Sequence, residues 1–289
     1  MTLSAFHAND TLRRDATERL RACLARGQIK PGPLHWDETG GSIVGCILQN
    51  EDLSQWESRL GLPQWLAVTL DALCAQQPSE TDACNYAIEA IDVIKPGGDP
   101  GPAGSVFILA VFEQIGAASV TPLSAPLEEA LESVRALHRR TATGEAVSPA
   151  EWRAVRKSAT SLSDSLSESA RWEQGCASCV ETAAWDPQRS PSVIFDTLRV
   201  WRAALMERAA ADFGWDQEAD KAMRELLQSL YDRHVKDNPD PQVTVFDMLA
   251  KYHPEQNKRL LAKFDIERRV ADRSFGQVTG TLLLVLSRA

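Results

Sequence analysis

Apolar side chains recur every three to four residues along most of the chain, the spacing that predicts amphipathic helices. In the first such segment Leu12, Ala16 and Leu20 share one stripe. Asn9 precedes this stripe as a candidate N-cap, and Gly27 follows it as a stop signal. The same spacing continues to the end of the chain, so the pattern predicts a mostly α-helical fold.

Capping and breaking residues place the later helices. Ser148-Pro149-Ala150-Glu151 has the form of a capping box with proline at the first helical position. The helix that it opens either runs to Trp172 or breaks among the serines before it. The apolar residues 282–286, near the end of the sequence, are predicted to form a helix or an added strand. Other helices are predicted at residues 54–59, 63–73, 79–91, 106–115, 127–138, 190–205, 218–234, 245–251 and 255–269.

Two of these segments differ from the general pattern. Residues 106–115 are apolar on every side, which predicts a central buried helix. Residues 34–48 carry glycines at 40, 41 and 45 around the β-branched Ile43 and Val44, which form a strand, a hairpin arm or a buried loop. We therefore expect a helical bundle with a small irregular or β element near residues 34–48.

Proline and glycine divide the chain at two places. Residues 96–104 hold three prolines and four glycines, which predicts a loop that serves as a lid or a linker. Residues 121–126 hold a second break. This break predicts an N-terminal helical region over residues 1–120 and a C-terminal bundle over residues 121–289, with one continuous domain as the alternative.

Charge and cysteine content narrow the function classes. The net charge is −9, and residues 1–120 hold 8 Lys and Arg against 15 Asp and Glu. Nucleic-acid binding needs a basic face, so we expect no nucleic-acid partner. No apolar run approaches the roughly 20 residues of a membrane helix, and no signal peptide is visible. Six scattered cysteines are typical of buried thiols in a reducing compartment, so we expect a cytoplasmic location.

Candidate chemistry concentrates in the glycine-rich segment. His35, Asp37, Glu38 and Cys46 fall within twelve positions. A thiol beside an imidazole can act as a nucleophile, and histidine with carboxylates can bind a metal. No surrounding signature for either chemistry is present, so a packed loop with a buried cysteine is favoured. We predict no metal site and no cofactor.

Other residues that attract attention have structural interpretations. Cys176 and Cys179 form a C-x-x-C pair in a helical setting, without the second pair that a structural zinc site needs. Trp65 and Trp201 lie on apolar stripes and are predicted to be core. Trp172 and Trp185 stand among polar residues and are candidate binding residues. The basic triple at 153, 156 and 157 is read as a solvated helix face.

Residues 6–95 resemble a family of uncharacterised bacterial and prophage-associated proteins. Its members carry a Gly-Cys-Ala-Val-Gly-Cys-like motif followed by a Gly-Ile-Pro-Glu-Trp-Leu-like helix start. The counterparts in this sequence are Gly41-Ser42-Ile43-Val44-Gly45-Cys46 and Gly61-Leu62-Pro63-Gln64-Trp65-Leu66. The first motif cysteine is Ser42, which argues against two-cysteine chemistry. The helices rich in tryptophan and alanine are also similar to those of immunity proteins proposed for bacterial toxin systems.

The acidic N-terminal region, the tryptophans among polar residues and the lack of a recognisable catalytic signature predict a non-catalytic protein that binds a protein partner, as an immunity protein or a scaffold. The alternative is an enzyme or small-molecule binder centred on His35, Asp37 and Cys46. The first hypothesis requires an exposed patch that carries Trp172 or Trp185. The second requires an open pocket in which the three side chains converge.

Overall fold

The computed structural model describes residues 3–119, 122–167, 170–236, 240 and 242–289. Within these residues it is mostly α-helical, as predicted, with one two-stranded sheet. The elements in chain order are α1 Asp10–Ala25, β1 Trp36–Asp37, β2 Gly40–Gly41, α2 Ile43–Leu48, α3 Ser54–Leu60, α4 Gln64–Cys74, α5 Glu80–Asp92, α6 Ala103–Ala118, α7 Ala125–Ala142, α8 Pro149–Ser165, α9 Arg171–Ala183, α10 Val193–Asp212, α11 Gln217–His234, α12 Val245–Tyr252 and α13 Pro254–Leu286.

The predicted small β element is a hairpin, but Ile43 and Val44 lie outside it. β1 and β2 pair antiparallel, with Trp36 opposite Gly41. The chain then enters α2 directly, because the Ser42 side chain accepts a hydrogen bond from the Gly45 N–H and caps the helix. The strand, hairpin-arm and loop interpretations of Ile43 and Val44 were therefore all wrong. Local capping outweighed the strand preference of β-branched residues.

Helix boundaries follow the capping signals closely. Asn9 caps α1, Ser79 caps α5, and Ser148 with Glu151 forms the predicted capping box at α8. α8 ends at Ser165, so the break among the serines is confirmed and the continuation to Trp172 is wrong. Serine is a weak helix former, which accounts for the break.

Two apolar segments differ from expectation. α6 is buried along one side, where Phe107, Val111 and Ile115 lie, while Val106 is 38% exposed. The predicted burial on every side was wrong, because apolar composition does not by itself decide which face finds a partner. Residues 282–286 are helical, which confirms the helix alternative and excludes the added strand, but they continue α13 instead of following a separate short helix.

The chain forms two compact units. The first comprises Met1–Trp201 and Gly276–Ala289, and the second comprises Arg202–Phe275. The expectation that residues 121–289 form their own bundle stays a prediction.

In the first unit, α1 packs against α2 and α5, and α4 packs against α2 and α5. α6, α7, α8 and α9 form a further packed group through successive contacts of α6 with α7, α7 with α8 and α8 with α9. The C-terminal residues complete this unit. Leu282 and Leu286 are fully buried, and the backbone carbonyl of Thr279 accepts a hydrogen bond of 3.3 Å from the Tyr86 hydroxyl.

The second unit has a small core of its own. Trp215, Met223, Leu230, Leu249 and Leu260 are buried together, and partly buried residues of α11 and α12 pack against them. The N–H of the Trp215 indole donates a hydrogen bond of 3.2 Å to Asp220. A core this small leaves a large share of the unit's apolar side chains near its surface.

The predicted loop at residues 96–104 is shorter than expected, because α6 begins at Ala103, and it is held by the segment that contains Ala5. The Ala5 N–H donates to Gly98 O and the Gly97 N–H donates to Ala5 O, both at 2.8 Å. The segment itself is a left-handed turn in which Phe6, His7 and Ala8 all have φ between 50° and 58°. These two backbone hydrogen bonds join the loop to Ala5. Among the described residues, no helix has the length and apolar content to span a bilayer.

Candidate functional site

The glycines of the 40–45 segment allow backbone to approach backbone. A Cβ atom on Gly45 would lie 2.0 Å from His35 O, and one on Gly41 would lie 2.5 Å from the same oxygen. The Ser42 N–H donates to His35 O at 3.1 Å in this crowded region. Gly41 and Gly45 therefore serve close packing between the hairpin and α2 rather than a phosphate cradle.

His35 and Asp37 of this segment form hydrogen bonds with local partners. His35 Nδ1 lies 2.8 Å from Pro33 O. Asp37 Oδ1 accepts hydrogen bonds from the Thr39 hydroxyl at 2.6 Å and from the Thr39 N–H at 2.7 Å. These bonds hold the pKa of Asp37 below its usual value. Asp37 therefore remains a carboxylate that shapes the turn between β1 and β2.

Cys46 points into the packed interior of the segment. It is fully buried, and its Sγ lies 3.6 Å from Gly41 O and 3.9 Å from Gln28 O. Burial raises the pKa of the thiol, and the neighbouring Cys23 raises it further. The thiolate is the reactive form of cysteine, so this environment opposes a role as nucleophile. His35, Asp37 and Cys46 take separate partners here.

A buried carboxylate beside this segment was missed at the sequence level. Asp71 of α4 is 4% exposed. Its Oδ1 accepts from the Val44 N–H at 2.9 Å, and its Oδ2 accepts from the Ser42 hydroxyl at 2.8 Å. Burial raises the pKa of Asp71 to about 7, and the two hydrogen bonds only partly oppose this rise. The signal was available as a lone carboxylate between Leu70 and Leu73 in an apolar helix.

Asp71 links α4 to the N-terminus of α2. It anchors α4 to the start of α2 through Val44, and it orients the Ser42 hydroxyl that caps α2. A negative charge at a helix N-terminus is favourable, but a buried charge costs free energy unless it is fully paired. The strength with which Asp71 holds the N-terminus of α2 therefore depends on whether its carboxyl group is protonated.

His138 is a second buried titratable group outside the predicted site. Its Nε2–H donates to Ala183 O at 2.8 Å, so Nδ1 accepts from the Ser105 hydroxyl at 3.1 Å. The ring meets Trp152 edge-on, with centroids 4.9 Å apart. Burial lowers the pKa of His138 to about 4, so the ring is neutral near pH 7. It joins α6, α7 and α9 as a structural hydrogen-bonding residue.

The remaining cysteines and two tryptophans are core, as the apolar stripes indicated. Cys176 and Cys179 are buried on α9, and burial raises the pKa of Cys179. Trp65 is fully buried, and a Cβ on Gly104 would lie 2.9 Å from its ring. Trp201 is 1% exposed.

The two candidate binding tryptophans have different surroundings. Trp172 is half-buried, and its ring centroid lies 5.7 Å from that of Trp201 at a tilt of 52°. Trp185 follows the end of α9 and is 43% exposed. The guanidinium carbon of Arg156 lies 3.5 Å from the Trp185 ring centroid, which is close stacking. Of these two tryptophans, Trp185 is therefore the exposed one. The stacking of Arg156 on its ring was not predicted from the sequence.

Exposed apolar side chains are concentrated in the second unit. Among the described residues, nine large hydrophobic side chains are exposed, and six of these belong to Arg202–Phe275. Leu261 and Phe264, at 53% and 43% exposure, are three positions apart on α13 and share a face. The other four in this unit are Phe213, Tyr231, Phe246 and Tyr252.

One aromatic contact in this unit joins α11 and α12. His234 of α11 stacks on Tyr252 of α12 with ring centroids 4.7 Å apart and planes at 18°. Tyr231 is three positions before His234 and is 44% exposed. Large exposed aromatic side chains in contact are a feature of protein-binding surfaces.

A surface pocket of about 530 Å³ lies between the end of α6 and the start of α7. Arg135 lines it and donates to Phe112 O at 3.3 Å. Residues 120–121, which lie between these two helices in the sequence, are outside the described residues.

Within the described part of the chain, no group of three or more His, Cys, Asp or Glu side chains is arranged to hold a metal ion. Comparisons with protein-family models, curated proteins and solved structures found no match.

Proposed function

We propose that this chain is a non-catalytic, cytoplasmic protein that binds a protein partner, in the manner of an immunity protein or a scaffold. The observation that carries the proposal is the concentration of exposed large apolar side chains in Arg202–Phe275. Burying such side chains against a partner releases water from apolar surface, which is the main driving force of protein association.

The geometry of the glycine-rich segment supports the same proposal over the enzyme alternative. Cys46 is buried with a raised thiol pKa, His35 is turned to Pro33 O, and Asp37 is bound to Thr39. A nucleophile and its base need hydrogen-bond contact and access for substrate. The similarity of the later helices to those of immunity proteins agrees with a binding role and stays a prediction.

The experiment is affinity capture of the tagged full-length chain from the organism that encodes it, with mass spectrometry of the retained proteins. A Leu261→Gln/Phe264→Gln double variant removes two exposed apolar side chains from one face of α13. The matched control is Leu284→Gln on the same helix, because Leu284 is 51% exposed but belongs to the first unit.

We expect one protein to be retained in stoichiometric amount by the wild type and by the control, and to be lost from the double variant. Removing these two apolar side chains should lower the affinity for the partner about 10-fold or more if they are hot spots of the interface. Equal retention by the double variant, or capture of no stoichiometric protein, would contradict the proposal.

A further inference from the structure

The exposed face of α8 near Trp185 carries a local positive charge on an acidic protein. Arg153, Arg156 and Lys157 are spaced at i, i+3 and i+4, so they lie on one side of the helix. Arg153 and Lys157 are exposed and Arg156 is half-buried. The whole chain has a net charge of −9, so this cluster is a distinct electrostatic feature.

Stacking on Trp185 positions the Arg156 guanidinium. With 3.5 Å between the guanidinium carbon and the ring centroid, the cation lies over the face of the indole. A stacked guanidinium keeps its N–H groups in its own plane, where they can donate to a carboxylate in two parallel bonds. Trp185 thereby reduces the conformational freedom that Arg156 would otherwise lose on binding.

Three acidic residues close in sequence to this cluster or to Trp185 are already engaged, and Asp164, farther along α8, is exposed and does not pair with the cluster. Glu181 accepts a hydrogen bond of 2.9 Å from Thr160, and Glu151 accepts one of 2.7 Å from Arg140. Asp186 lies 3.6 Å from Arg189. In the part of the chain that the structure describes, no carboxylate forms an ion pair with Arg153, Arg156 or Lys157. Their charges are therefore available to an external anion.

We infer that this surface, formed by Arg153, Arg156, Lys157 and Trp185, binds an acidic segment of a partner protein. Its carboxylates pair with Arg156 and the two flanking cations, and an apolar side chain beside them covers the exposed edge of Trp185. Charge complementarity selects this occupant. A nucleic acid is disfavoured because three cations form a small footprint, and the remaining net charge repels a polyanion. The inference is independent of the proposed surface in the second unit.

The experiment uses the ¹⁵N-labelled full-length protein and a 15-residue peptide of alternating Glu, Asp and Leu. The comparison peptide replaces Glu by Gln and Asp by Asn. The reporter is the indole N–H signal of Trp185, which is assigned by its loss in Trp185→Phe. The variants are Arg156→Gln and Arg156→Lys, and the charge-matched control is Arg288→Gln, which removes an exposed cation elsewhere in the first unit.

We expect the acidic peptide to shift the Trp185 signal and the neutral peptide to leave it unchanged. Arg156→Gln should weaken binding about 10-fold, since a charge-assisted bidentate contact is lost. Arg156→Lys should weaken it less, and Arg288→Gln should have no effect. Binding should weaken as salt is raised, as surface charge pairing requires.

Four outcomes would overturn the inference. These are no shift with the acidic peptide, equal binding by Arg156→Gln, equal binding of the neutral peptide, and tighter binding of a single-stranded oligonucleotide at the same salt concentration. If the chain self-associates in a salt-dependent manner and Arg156→Gln abolishes this, the inference of a separate partner protein is wrong, and the surface binds a second copy of the chain. None of these results bears on the capture experiment with the α13 double variant, so the two proposals fail separately.

Discussion

Two buried residues of the first unit have pKa values that folding shifts in opposite directions. Asp71 has its pKa raised to about 7, and His138 has its pKa lowered to about 4, both chiefly by burial. Each group is therefore neutral over part of the range where it would be charged in an unfolded chain. Stability must depend on pH through both groups, with opposite signs.

For Asp71, the stabilising contribution is present below pH 4, where the carboxyl is protonated in both states, and it is lost as the pH rises through about 7. In Asp71→Asn a neutral amide of the same shape replaces the titrating group. We expect the unfolding free energy of this variant, relative to the wild type, to increase by up to about 1.4 kcal/mol per pH unit between pH 4 and 7. Urea unfolding at a series of pH values measures this difference.

The control is His138→Gln, for which the pH dependence has the opposite sign. The folded pKa of His138 is lowered, so its contribution is present above pH 6.5 and is lost as the pH falls through about 4. The stability difference between wild type and His138→Gln should therefore shrink as the pH falls. A relative stability of Asp71→Asn that falls with rising pH would show that the carboxylate is favoured in the folded state.

At the scale of elements, the hairpin and α2 depend on glycines with no room for a side chain. A Cβ on Gly45 would lie 2.0 Å from a backbone oxygen of His35, and neither backbone can yield cheaply. Gly280 in α13 has nothing within 4 Å of its added Cβ. Gly45 therefore allows a close backbone contact, whereas Gly280 lies at an open helix position where no contact requires a glycine.

We expect Gly45→Ala to lower the unfolding free energy by about 2–3 kcal/mol, the upper range for overpacking. Gly280→Ala should raise the unfolding free energy by up to about 1 kcal/mol, because alanine is the better helix former. Denaturant unfolding of both variants measures these changes. Equal effects of the two substitutions would mean that α2 and residue 35 are not in close contact.

At the scale of the whole molecule, the first unit depends on residues from the far end of the chain. Leu282 is fully buried in that unit, although it is more than 160 residues from α6 in sequence. Leu284, two positions later on the same helix, is 51% exposed. This pair separates the role of packing from that of helix formation.

We expect Leu282→Ala to lower the unfolding free energy by about 2–5 kcal/mol, as large-to-small core substitutions do. Leu284→Ala should stay within about 0.5 kcal/mol of the wild type, as is usual at exposed positions. Thermal and urea unfolding of both variants provide the test. If both substitutions had the same small effect, residues 276–289 would not belong to the core of the first unit.

The sequence alone determined the helices whose start signals are local, whereas α2 was not predicted. Asn9, Ser79 and the Ser148 capping box all mark helix starts, and the structure confirms each one. Burial of Trp65 and Trp201 followed from apolar spacing in the same way. These features depend on residues within a few positions of each other, so periodicity and capping contain the necessary information.

Only the tertiary structure decided the environment of each candidate residue, because that depends on contacts between distant segments. Asp71 became buried where α4 meets α2, and Arg156 of α8 was brought over Trp185 at the end of α9. The closeness of Gly45 to His35 O likewise arises where the chain folds back on itself. Burial, pKa and exposure are properties of packing, and a linear pattern of residue types does not specify which segments pack together.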